Sequence, residues 1–123
     1  MMLPESVDDA PYRPIYTQEF RDLFASKKFR SRQQQIVLAI ERICFVPERK
    51  SHLLDKKHGI DWRGKRDRKA NGDIILIFGW CRECGEKGFR AQGINNCCGG
   101  EAENSNQIVF LGLGSHKQFF KRG

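Results

Sequence analysis

The stretch DWRGKRDRKANGDIILIF, Asp61 to Phe78, decides the fold. Asn71-Gly72 is a strong turn signal, because tight turns between strands need positive φ values that these residues adopt readily. Asp73 then leads into Ile74, Ile75, Leu76, Ile77 and Phe78, the longest apolar run in the chain. A short continuous run of this kind reads as a strand buried on both faces or nearly so. Before the turn, Trp62 to Arg68 reads as a second strand, charged and weakly patterned.

Outward toward the C-terminus, Gln107 to Leu113 is another apolar strand. Gly114 turns the chain, and Ser115 is placed to cap a short helix carrying His116, Phe119 and Phe120. Toward the N-terminus, Tyr12 to Tyr16 reads as a short strand. Thr17 can cap a helix with Glu19 in its first turn and with Phe20, Leu23 and Phe24 on one face. Ser31 is expected to cap a second helix whose buried stripe is Ile36, Val37, Ile40, Ile43 and Cys44, and Pro47 ends it. A polar loop through His52 and His58 follows. Late strands with short links predict an antiparallel sheet, and the two early helices cover one face of it. The fold class is α+β. A polar tail at 1–11 precedes a single domain at 12–123, and a Gly-, Asn- and Cys-rich insertion at 81–106 interrupts the sheet pattern.

With 123 residues, 39% hydrophobic and 30% charged, the chain can bury one modest core. Its apolar runs are too short to cross a bilayer. The first eleven residues lack a basic start followed by an apolar stretch, so no export signal is expected and the expected location is the cytoplasm. The net charge is +7, which favours an anionic partner. Between Lys56 and Lys69 seven basic residues stand against Asp61 and Asp67, a net of +5. Lys117, Lys121 and Arg122 add to this at the C-terminus.

Five cysteines, an odd number without an export signal, argue against a disulfide framework. Cys44 falls in a helical stripe and is expected to pack as a small hydrophobe. Cys81 and Cys84 have the spacing of a zinc knuckle. Cys97 and Cys98 need a tight turn to join them, which Gly99-Gly100 permits. A structural zinc on these four is one reading; redox or free thiols are the other. A closed four-cysteine site leaves no open position for catalysis. The charged residues of the insertion sum to −1, which does not make a phosphate-binding surface.

Metal-free RNA cleavage requires that the 2′-hydroxyl lose a proton, that the phosphorane charge be stabilised, and that the 5′-oxygen gain a proton. The 62–73 segment supplies cations and a carboxylate. His116 is of the residue type whose unperturbed pKa lies near neutrality. The two meet if the last strand pairs beside Ile74–Phe78. On composition alone a lone histidine is more often structural, and a basic strand is more often a solvated face.

The same stretch resembles the central signature of the YafQ-like branch of the RelE/ParE toxin superfamily: tryptophan, glycine, an arginine–acidic pair, a histidine, then Pro-Asp before an apolar strand. Trp62, Gly64, Arg66, Asp67, Asp73, Leu76 and Ile77 match without a gap. The ending GLGSHKQFF is similar to the family's Gly-Thr/Ser-His-x-x-Leu-Phe through Gly114, Ser115, His116 and Phe120. The resemblance covers about residues 12–120 outside the insertion. It implies a RelE-like fold: a twisted antiparallel sheet, two N-terminal helices on one face and a short C-terminal helix. It also implies a toxin that cuts mRNA in the ribosomal A site without a catalytic metal, stops translation, and is neutralised by a cognate antitoxin.

By the same resemblance Asp73 and His116 fall on catalytic positions, and Phe120 on the aromatic that helps hold the substrate base. A turn role for Asp73 and core packing for Phe120 are the plainer readings. Together with the charge pattern, Arg66 and Lys69 join the catalytic set. Lys56, Lys57, His58, Arg63, Lys65, Arg68 and Lys117 form the expected RNA-binding surface. The chain departs from the family at Lys69, where the pattern has histidine. A lysine stabilises phosphate charge but is a poor neutral-pH base unless desolvated. A further family histidine falls on Lys56, with His58 or His52 as replacements, and Ile74 replaces an aromatic. The alternative from another class is a non-catalytic RNA- or ribosome-binding module, which the replacement at Lys69 favours. A ParE-like topoisomerase inhibitor is the third reading, and the His116–Phe120 ending argues against it.

Overall fold

The structure, a computed structural model, describes residues 1–57, 60–95 and 106–120. In chain order its elements are β1 (Arg13–Tyr16), α1 (Gln18–Ala25), a 3-10 turn (Arg30–Arg32), α2 (Gln33–Phe45), β2 (Ser51–Leu53), β3 (Lys56–Lys57), β4 (Ile60–Asp61), β5 (Arg66–Asn71), β6 (Ile74–Trp80), α3 (Cys81–Lys87), β7 (Gln107–Ser115) and α4 (His116–Phe120). The class is α+β. Five strands form one open sheet in the order β1-β7-β6-β5-β2, and β3 and β4 form a separate ribbon.

The β5–β6 and β6–β7 pairs are antiparallel, as expected, and the segment read as a polar loop supplies a further antiparallel strand, β2, beside β5. β1 is not: it pairs parallel with β7, from Arg13 opposite Gln107 to Tyr16 opposite Phe110. The sheet is therefore mixed. A parallel pair needs a long crossover, which the intervening chain supplies.

The central run is buried on both sides, as its composition requires. Ile74, Leu76 and Phe78 join Phe20 and Phe24 of α1, Ile36, Ile40 and Ile43 of α2, and Ile108, Phe110 and Leu113 of β7 in the main core. Ile75 and Ile77 point the other way, into a smaller cluster with Leu54, Trp62, Leu111 and Phe119. Both helices thus cover one face, and the ribbon region and α4 contribute to the other.

Two expected caps form. Phe20 N donates to Thr17 Oγ1 at 3.2 Å, and Gln118 N donates to Ser115 Oγ at 3.1 Å. The Ser31 cap does not. Ser31 lies inside the 3-10 turn, and α2 begins at Gln33 after Arg32, with no side-chain cap bond. Gln33 Nε2 instead donates to Phe24 O at 3.0 Å and ties α2 to α1. The tail at 1–11 forms no helix or strand, yet Leu3, Val7 and Ala10 pack on the core and the Tyr16 hydroxyl donates to Pro4 O at 2.6 Å. Cys44 is fully buried, and burial pushes its thiol up to about 12. The insertion opens with α3, which ends at Gly88 in the left-handed conformation that glycine adopts at helix ends. Among the described residues no helix is long and apolar enough to cross a membrane.

Candidate functional site

Alternation along β5 fixes what can meet. Arg66 and Arg68 stand opposite Phe78 and Leu76, on the helix-covered face. Asp67 and Lys69 stand opposite Ile77 and Ile75, on the other face. The single cationic surface expected from Arg66, Arg68 and Lys69 is therefore split by the two-residue period of the strand.

On the second face, α4 lies close to β7. A Cβ at Gly112 would approach the Phe119 ring to 3.3 Å, and one at Gly114 would come within 2.6 Å of Gln118 Oε1 and 3.0 Å of Phe119 Cε2. The two glycines leave the space that α4 occupies, and the Ser115 cap starts the helix at His116. The edge of the Phe119 ring meets Trp62, with centroids 5.6 Å apart.

His116 so placed lines a cleft of about 720 Å³ with Lys69, His52, Asp67, Lys50 and Asp55, over a floor that includes Ile75 and Leu54. His52 sits on the edge strand β2, directly across from Asp67, and its Nδ1 is 3.4 Å from Asp67 Oδ1. The carboxylate is 15% exposed and the imidazole 82% exposed. Asp67 Oδ1 is buried and accepts no hydrogen bond among the described residues. A buried carboxylate oxygen without a donor is costly, and the residue that carries it lines the cleft. The cleft thus holds two imidazoles, two lysines and two carboxylates.

Comparison with protein-family models, curated proteins and solved structures returns no match. The chemistry of the cleft rests on its own residues.

The other expected site residues fall in several places. Arg66 is spent on structure: its Nη2 is 2.6 Å from Glu83 Oε2 and its Nε 2.9 Å from Oε1, with Ser51 Oγ at 3.1 Å and the Trp80 ring 5.9 Å away. Its side chain is 12% exposed and that of Glu83 3%. Lys87 adds a third charge at 3.3 Å from Glu83 Oε2. Asp73 is an exposed residue of the β5–β6 turn, beside Gly72 with φ +56°, and is not among the residues lining the cleft.

Arg68 lies on the α2 side. Arg63 pairs with Asp61 at 2.8 Å, a bond that holds the Asp61 carboxyl below its usual range. Lys65 Nζ donates to Asn95 O at 2.6 Å. Lys56 lies on the β3–β4 ribbon opposite Asp61, and Lys117 is exposed on α4. The described members of the RNA-binding set are therefore dispersed rather than gathered in one patch.

Cys81 and Cys84 are buried on α3, three residues apart and so on one side of the helix. Among the described residues no group of three or more His, Cys, Asp or Glu stands ready to hold a metal. His58, Cys97 and Cys98 lie outside the described residues, as do the side chains of Lys57 and Phe120.

Sequence reading missed the His52–Asp67 pair and the role of Gly112. Strand alternation carries the first signal, once β2 is known to pair with β5. Two glycines spaced by one residue before a capped helix carry the second.

Proposed function

We propose that this protein is a metal-independent endoribonuclease that cuts mRNA on the ribosome. The observation that carries the reading is the convergence of His116, His52, Lys69 and Asp67 on one cleft. One imidazole takes the proton of the 2′-hydroxyl, and the 2′-oxygen attacks phosphorus. The bond to the 5′-oxygen breaks, and the other imidazole gives that oxygen its proton. A cyclic phosphate and a free 5′-hydroxyl result, so atoms and charge balance. Lys69 offsets the extra negative charge of the phosphorane. Asp67, whose Oδ1 is 3.4 Å from His52 Nδ1, orients that imidazole. In this scheme Arg66 stabilises the domain rather than the transition state, and Asp73 shapes the turn.

The resemblance to RelE-type toxins supports the same reading and extends it. It gives the ribosomal A site as the place of cleavage and a cognate antitoxin as partner, and a cytoplasmic location suits both. Positioning by so large a partner can replace a strong general base, which suits a cleft with a lysine where the family pattern has histidine. The buried, same-sided thiols of Cys81 and Cys84 suit a structural zinc completed by Cys97 and Cys98. That zinc would hold the insertion and take no part in the chemistry.

Mapping of mRNA ends in a translation system tests the reading. New ends on translating ribosomes, with little cutting of naked RNA, are expected. Translation that slows with mRNA intact would contradict cleavage and leave the non-catalytic binding module.

A further inference from the structure

Arg68 is 6% exposed, and the one hydrogen bond of its guanidinium to protein among the described residues runs from Nη1 to Arg49 O at 3.3 Å. A guanidinium carries five N–H donors, so most of this one is uncommitted. No carboxylate pairs with it among the described residues. Its charged neighbours are Arg42 and Arg49, and burial together with their repulsion lowers its pKa. Burying a cation among cations is costly, unless an anion joins them. Arg68, Arg42, Arg49 and Lys50 line a cleft of about 550 Å³, and the exposed ring of Phe45 forms part of its wall.

Lys50 also lines the His116 cleft on the other face of the sheet. It directly precedes the edge strand β2, in a left-handed conformation with φ +53° that non-glycine residues rarely adopt. The two clefts therefore meet at the sheet edge.

We propose that Arg68, Arg42 and Arg49 form a phosphate-binding subsite for an RNA strand whose path continues round the sheet edge, past Lys50, into the His116 cleft. This rests on the ribonuclease reading of that cleft. The planar fork of a guanidinium matches a phosphate in a bidentate manner. A strand passing both clefts brings successive phosphates to Arg68 and to Lys69. Phe45 gives an unpaired base a ring to stack on, as single-strand binders commonly do. An acidic peptide is the competing occupant, and the exposed Phe45 ring together with the path through Lys50 to the His116 cleft favours RNA, which alone has bases to stack.

The test is binding of a fluorescent ten-nucleotide oligouridylate with 2′-O-methyl groups, which cannot be cleaved. Its affinity is followed by anisotropy over a range of salt. Arg42→Gln/Arg49→Gln, both at exposed positions, is expected to weaken binding by about tenfold and to lower the salt slope by about 0.7 for each phosphate no longer neutralised. Arg68→Gln is expected to do the same where circular dichroism shows it folded; the double variant decides the matter if it is not. Unchanged affinity and slope in the double variant would overturn the subsite. So would a polyglutamate peptide that binds through these arginines while the oligonucleotide does not. The readout is blind to catalysis. Loss of binding in the double variant with no mRNA cleavage anywhere would sink the ribonuclease reading and keep the subsite; cleavage with unchanged binding would do the reverse.

Discussion

The two faces of β5 carry four consecutive charged residues to different ends. On one face Arg66 closes a buried ion pair with Glu83, and Arg68 sits against α2. On the other, Asp67 and Lys69 open onto a cleft shared with His52 and His116. Both pairs come from one run of four charged residues, so the density of charged residues along the sequence does not separate them. The partner does. A cation opposite a buried carboxylate holds the fold together, whereas one facing a cleft is available to a substrate. Substitution of Arg66 should therefore act through stability, and substitutions on the second face through chemistry.

The largest effect is expected at the base of the insertion. Reduced protein purified without chelators should hold about one zinc per chain, and Cys81→Ser should lower thermal stability sharply, because structural zinc contributes directly to folding. Metal analysis below about a tenth of an equivalent would remove zinc from the account.

Next comes the ion pair. Arg66→Ala leaves the buried Glu83 carboxylate with Lys87 alone and should cost about 3 kcal/mol in denaturant unfolding, at the low end of the range for breaking a buried pair. The folded fraction should keep most of its specific cleavage activity. A stable Arg66→Ala protein with cleavage abolished would return Arg66 to the active site and undo the contrast between the faces.

On the cleft side the contrast reverses. Asp67→Asn and His52→Ala should leave the melting temperature nearly unchanged and lower single-turnover cleavage by about 10²-fold, the lower end of a general acid–base contribution. A variant that melts early yet cleaves normally would make this pair structural. The smallest effect is expected at Gly114→Ala, where the added methyl presses on Gln118 and Phe119. Overpacking of this kind costs about 1–3 kcal/mol. Because α4 carries His116, activity should fall further than the melting curve suggests. Gly114→Ala with both unchanged would mean that α4 shifts freely.

The residues that bond locally were legible. Thr17 and Ser115 announce their helices, because a cap is a contact made within three residues. Ile74 to Phe78 announces a doubly buried strand by composition. The Arg82–Glu86 pair at 2.9 Å and the glycine at 88 mark α3 in the same local way, although the cysteines and glycines around them read as a break. What the pattern did not carry was long-range. The direction of β1 depends on a partner at Gln107–Phe110, and the split of Arg66 from Lys69 depends on which face the helices cover. Likewise His52 acquires meaning only when β2 lies beside β5. The pairing of chemistry-bearing residues is set by sheet order, which no short window contains.

The central claim is that His116 exchanges a proton in the cleft. Wild type and His116→Ala, matched for folded fraction and ribosome binding, can be compared by single-turnover cleavage of mRNA on programmed ribosomes. A loss of about 10²–10⁴-fold, the usual weight of a general acid or base, with binding preserved, is the predicted result. A folded His116→Ala protein that cuts at the wild-type rate would contradict it.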